Sequence, residues 1–128
     1  MSSRDQEKLL VSLSKLDFEQ ARIKHVVFKS KLRALLYGVE IDSNPVLSHE
    51  ACSLGRWIYE IAMPRIGYMP EVKELERVHS RLHTIAIRLW NEYKNGHQDE
   101  AHQGLAEIEE VAQELLQLLE LIEQKALA

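Results

Sequence analysis

His79 and His83 stand four residues apart. On a helix turning about 100° per residue they lie roughly 40° apart on one face, close enough for both imidazoles to bind one metal ion. Leu75, Leu82 and Ala86 around them are core-type residues, so both rings are expected at or near the interior. A buried imidazole needs hydrogen-bond partners or a metal, and two charged ones side by side would repel. The spacing by itself is met equally by a chelating pair and by two hydrogen-bonded core histidines. It is not the zinc-protease pattern H-E-x-x-H, because Ser80 stands where the general-base Glu would be.

Cys52 is the single cysteine of the chain. One thiol cannot form an internal disulfide, so a disulfide-stapled secreted scaffold is excluded and a reduced, cytoplasmic protein is expected. The segment Ala51-Cys52-Ser53-Leu54-Gly55-Arg56-Trp57 puts this thiol at or near the start of a helix. There the helix dipole favours a thiolate, the form that binds metals and reacts with oxidants. Taken alone, a single cysteine is most often a small buried hydrophobe. Gly55 would let a neighbouring helix approach closely, and Trp57 reads as core. His25 lies midway along the first expected helix, near Ile23, Val27 and Phe28. One cysteine with three histidines would make a complete tetrahedral donor set suited to Zn²⁺.

Helices must position these residues. Of 128 residues, 45% are hydrophobic and 28% charged, the balance of one soluble domain with one core. Glycine and proline are few and fall mostly between positions 38 and 70, which leaves the ends free for long helices. A first helix is expected from about Asp5 to Tyr37, burying Leu9, Leu13, Leu16, Ile23, Val27, Leu32 and Leu35 or Leu36, with Gly38 as its stop. Asp42, Ser43, Asn44 and Pro45 mark a loop over Val39 to Leu47. A shorter helix follows from Ser48 or Glu50 to Ala62, and Pro64, Gly67 and Pro70 form a second connection. A long helix over Glu71 to Asn95 then buries Leu75, Val78, Leu82, Ile85, Ala86 and Leu89 before Gly96 closes it. The last helix starts near Asp99 and carries Leu105, Ile108, Val111, Leu115, Leu118, Leu119 and Ile122 in one stripe. Three long helices and one shorter one imply an all-α, antiparallel four-helix bundle.

Sixteen Lys and Arg against twenty Asp and Glu give a net charge of −4, so no overall positive field favours nucleic acid. No apolar run approaches membrane-spanning length, and the opening MSSRDQEKLL is too polar for a secretory signal. Charge is uneven: Lys15 to Arg33 holds six basic and two acidic residues, Gly96 to Ala128 eight acidic and one basic. These are expected to be solvated helix faces that attract each other. The length of the last leucine stripe would also suit pairing between two chains, hence a homodimer.

The combined pattern resembles the chemoreceptor zinc-binding (CZB) domain family. The resemblance runs through Leu16-Asp17-Phe18-Glu19-Gln20-Ala21-Arg22-Ile23-Lys24-His25, Lys29-Ser30-Lys31-Leu32-Arg33, Cys52-Ser53-Leu54-Gly55-Arg56-Trp57 and Val78-His79-Ser80-Arg81-Leu82-His83, and covers most of the chain. It implies one domain over residues 1–128, a four-helix bundle holding zinc through three histidines and one cysteine. Carried over residue by residue, the ligands are His25, Cys52, His79 and His83. Phe28 departs from the family, which commonly has Trp there. His49 has no counterpart and stands as a candidate alternative or fifth ligand, three residues before Cys52. His97 and His102, in or near the loop after Gly96, are expected to be exposed.

Four protein ligands fill a tetrahedral site and leave no position for water, so a structural or regulatory metal is expected, not an enzyme. The imidazole N–H groups would need acceptors, for which Asp17 and Glu19 are candidates. The resemblance implies a cytoplasmic sensory module that responds to zinc, or to oxidants such as hypochlorous acid through Cys52. Its signal would pass to a chemotaxis receptor or to a diguanylate cyclase and its cyclic-di-GMP pathway. A zinc-stabilised helical dimerisation module without sensing is the second reading. A di-iron bundle would need more histidines and bridging carboxylates inside the helices, whereas the acids here lie mostly outside the apolar stripes.

Overall fold

The computed structural model describes residues 13–127, and among them every regular element is helical. The first is α1 (Lys15–Leu36), opened by a capping box in which Asp17 N–H donates to the Ser14 hydroxyl and Ser14 N–H donates to the Asp17 carboxylate. This cap starts the helix at Lys15 and not near Asp5; Asp5 and Leu9 lie outside the described residues. Gly38 stops α1 as expected. With φ at +85° it takes the left-handed turn while Val39 N–H returns to the Ala34 carbonyl, and Gly96 at +87° does the same for the long later helix.

The inward face of α1 differs from the expected one. Phe18, Ala21, His25, Phe28, Leu32, Leu35 and Leu36 are buried, at an alternation of three and four residues, whereas Leu16 and Ile23 are 61% and 62% exposed and Val27 is also exposed. Two apolar stripes run along this helix. The aromatic stripe faces the core because each phenyl ring removes more surface from water than a branched aliphatic does. That choice carries His25 inward with Phe28.

The expected loop after Gly38 contains a single helical turn, α2 (Asn44–Leu47), with Pro45 in its first turn and Val46 buried. Residues 48–52 form a turn, and Cys52 is the N-cap residue of α3 (Ser53–Trp57), so the shorter helix begins later than Ser48 or Glu50. It also ends later. A π-helical turn (Ile58–Ala62) joins α3 to α4 (Met63–Ile66), giving one helical run over 53–66 that contains Pro64. Proline has no N–H to donate, and its ring crowds the carbonyl four residues back; the wider π turn, where Met63 N–H reaches the Ile58 carbonyl, relieves that conflict. The second connection is therefore only 67–69.

Helix α5 (Pro70–Lys94) buries all six expected apolar residues together with His79 and His83. The last expected helix divides at Gly104 into α6 (Gln98–Gln103) and α7 (Leu105–Ala126), and α7 buries Ile108, Val111, Leu115, Leu119 and Ile122. Helix α5 is the hub: it packs against α7, α6, α2 and α1. The basic first helix and acidic last helix do attract each other, through Arg22 to Glu123 and Lys29 to Glu109 at 3.2 Å. Arg81 to Glu114 at 3.2 Å and Lys125 to Glu71 at 2.6 Å tie α5 to α7 in the same way. No helix among the described residues is long and apolar enough to cross a membrane.

Candidate metal centre

Helix α5 presents His79 and His83, each 2% exposed, one turn apart on its buried face. Their Nε2 atoms lie 3.1 Å from each other. His83 Nδ1–H donates to the Val46 carbonyl at 2.5 Å, which leaves the lone pair of a neutral ring on Nε2, facing His79. Cys52, 3% exposed, completes a cluster in which one donor atom from each of Cys52, His79 and His83 lies within 4.8 Å of the others. Zinc bonded tetrahedrally to nitrogen at about 2.05 Å and sulfur at about 2.3 Å sets N···N near 3.3 Å and N···S near 3.6 Å. The 3.1 Å between the two Nε2 atoms fits that geometry, and the Cys52 sulfur lies close enough to join them. The donor chemistry fits as well, since two imidazoles and one thiol are held together out of water.

Local sequence explains the convergence. The turn over 48–52 ends at Cys52, and Gly55 one turn into α3 lies against it: a Cβ at Gly55 would meet the His49 carbonyl oxygen at 1.8 Å and His79 Cε1 at 3.1 Å. Only glycine lets the turn, α3 and α5 come this close. Phe28 of α1 packs its ring on His83 at 4.8 Å between centroids, and Phe18 meets Trp57 edge-on at 5.7 Å.

Two further histidines border the cluster. His25 of α1 is fully buried and neither of its ring nitrogens has a partner among the described residues, yet it stands outside the Cys52–His79–His83 group. His49 is half-buried, and its ring centroid lies 6.4 Å from those of both His79 and His83. Burial and crowding keep the rings of His25, His79 and His83 neutral. Burial, followed by the neighbouring His83, His49 and His25, pushes His79 down to about 3. Burial likewise lowers His83 to about 4, against the Val46 hydrogen bond, which raises it. His25 is held at about 4 by burial and by Lys29, with Glu109 opposing. Neutral imidazole is the form that coordinates metal.

The acceptors expected for the imidazole N–H groups are corrected. Asp17 is used in the cap of α1 and Glu19 is exposed; the acceptor for His83 is the backbone carbonyl of Val46, in a segment read as loop. His97 is exposed as expected, but His102 is half-buried: its Nε2–H donates to the Leu36 carbonyl and its ring stacks on Tyr37 at 3.9 Å. It closes the carboxyl end of α1. A backbone acceptor leaves no trace in residue type, so Val46 could not have been found by reading side chains.

Residues 25–90, from His25 through both histidines of α5, match the family model described as the chemoreceptor zinc-binding domain. No curated protein and no solved structure matches the chain.

Proposed function

The chain belongs to the chemoreceptor zinc-binding domain family, and from that premise we propose that it is a regulatory, non-enzymatic zinc module with His25, Cys52, His79 and His83 as ligands. The buried Cys52–His79–His83 cluster, with both ring nitrogens of the neighbouring His25 unpartnered among the described residues, is the observation that carries this reading. His25 supplies the fourth donor from α1 after a side-chain adjustment, since both of its nitrogens are free of other partners among the described residues. Bound zinc would supply a closed coordination shell that links α1, the Cys52 turn and α5. In this reading the helices form an antiparallel four-helix bundle in the cytoplasm.

The protein's own part is to couple the state of Cys52 to the position of α3. Cys52 is the N-cap residue of that helix, so a displacement of its sulfur moves the backbone from which the run over 53–66 starts. A cleft of about 90 Å³ beside Cys52 is lined by Lys24, Val27, Lys31, Pro45 and Ala51. Its two lysines favour small anions, which suits sensing of hypochlorous acid and its anion. Oxidation of the sulfur removes the thiolate ligand. The signal then passes to a chemotaxis or cyclic-di-GMP partner. A second copy of the chain would pair through the outer face of α1, where Leu16, Ile23 and Val26 are exposed.

Metal analysis tests the core of the proposal: purified protein should carry about one zinc per chain. Absence of zinc after reconstitution would overturn it. Cys52→Ala should make zinc easier for a chelator to remove, whereas His97→Ala should not. Equal behaviour of the two variants would refute the ligand assignment. Treatment with hypochlorous acid should oxidise the thiol and raise chelator sensitivity; oxidised Cys52 with unchanged sensitivity would exclude the redox mode.

A further inference from the structure

His49 is not among the four ligands, yet its place in the fold is that of a donor in waiting. Its ring is equidistant from His79 and His83, at 6.4 Å between centroids from each. Its Nδ1 is buried and has no hydrogen-bond partner among the described residues. Two imidazoles on one tetrahedral metal hold their centroids roughly 5 Å apart, as His79 and His83 do at 4.6 Å. His49 therefore needs an approach of only about 1 to 1.5 Å to reach bonding range.

The backbone is arranged to permit that approach. His49 and Cys52 sit on the same turn, closed by Cys52 N–H to the Ser48 carbonyl at 3.2 Å. The carbonyl of His49 rests against Gly55, so the turn is held beside α5 and is not free to swing away. When the sulfur leaves the shared point between His79 and His83, a small rotation of the turn brings the imidazole of His49 into the vacated direction.

We propose that His49 is a reserve zinc ligand that takes the place of Cys52 when the thiolate is lost, so that the module keeps its metal while the turn before α3 changes position. This rests on the zinc reading above and deepens it: the stimulus would be reported by ligand exchange, not by metal release. A soft, oxidisable donor is replaced by a borderline one that oxidants leave intact, and both suit Zn²⁺.

The test compares wild type, His49→Ala, Cys52→Ala and the double variant, each loaded with Zn²⁺ under reducing conditions in competition with a chromophoric chelator. Wild type and His49→Ala should bind alike. Cys52→Ala should bind more weakly, and adding His49→Ala to it should lower affinity by a further tenfold or more, about 1.4 kcal/mol. Loaded with Co²⁺, Cys52→Ala should lose the sulfur charge-transfer band but keep the visible bands of a four-coordinate site, and in the double variant, where water must complete the shell of three histidines, those bands should shift. Equal zinc affinity and equal cobalt spectra for Cys52→Ala and the double variant would overturn the proposal. So would complete loss of zinc binding in Cys52→Ala with its helical circular dichroism intact. Cys52→Ser repeats the comparison should alanine at this buried position loosen the fold. Failure of wild type itself to bind zinc would instead overturn the zinc reading, so the two failures are distinct.

Discussion

Removing the metal should make this fold acid-sensitive in a window set by its buried imidazoles. His25, His79 and His83 titrate near 4, 3 and 4 in the folded chain, against 6.5 for an unperturbed ring. Between those values the unfolded chain binds more protons than the folded one. Stability must therefore fall as pH drops below about 6.5, and it is fully present above that value. For one ring shifted from 6.5 to about 4, the linkage relation gives a loss of about 2 kcal/mol between pH 7 and pH 5. Three rings together lose about 5 to 6 kcal/mol, comparable with the whole stability of a small domain. Most carboxylates are still ionised at pH 5, so the window isolates the histidines. Urea denaturation of chelator-treated protein, followed by far-ultraviolet circular dichroism at several pH values, measures this directly. Stability should be level above pH 7 and fall with a slope approaching three protons by pH 5, and His25→Leu should reduce that slope by one proton. A level profile down to pH 5, or a slope unaffected by His25→Leu, would refute the reasoning. Zinc-loaded protein should resist to lower pH, since bound ligands cannot protonate until the metal leaves.

Two other perturbations test the scaffold. Gly55→Ala would place a methyl group 1.8 Å from the His49 carbonyl oxygen, forcing the turn away from α3. It should cost about 1 to 3 kcal/mol by thermal denaturation and also weaken zinc binding; a variant with unchanged melting and affinity would show that this approach is not needed. Ser14→Ala removes the capping box of α1 and should cost about 1 kcal/mol with zinc affinity unchanged, as seen in paired melting and competition measurements.

Much of this molecule is written in its sequence. The residue types of the site, the helical spacing of His79 and His83, the stops at Gly38 and Gly96 and the core stripes of α5 and α7 are local properties, because cap chemistry, left-handed glycine and 3.6-residue periodicity act within a few positions. The charge segregation of the two ends was equally legible, and it became ion pairs between α1 and α7. Other features depend on what packs against what. Helix α1 carries two apolar stripes, and only the rings of Trp57 and His83, supplied from 39 and 55 residues beyond Phe18 and Phe28 respectively, select the aromatic one. The π turn that carries Pro64 inside a helix is a balance between a missing N–H and the packing around it. The acceptor for His83 is a carbonyl that exists at every residue, so only the tertiary path of the chain determines that Val46 provides it. The position of His49 is decided the same way: sequence places it three residues before Cys52, while the absence of a side chain at Gly55 brings its turn beside both histidines of α5. Sequence thus determined which chemistry is available, and tertiary structure decided which donors share a point, because coordination depends on distances of a few ångströms between segments that local rules do not relate.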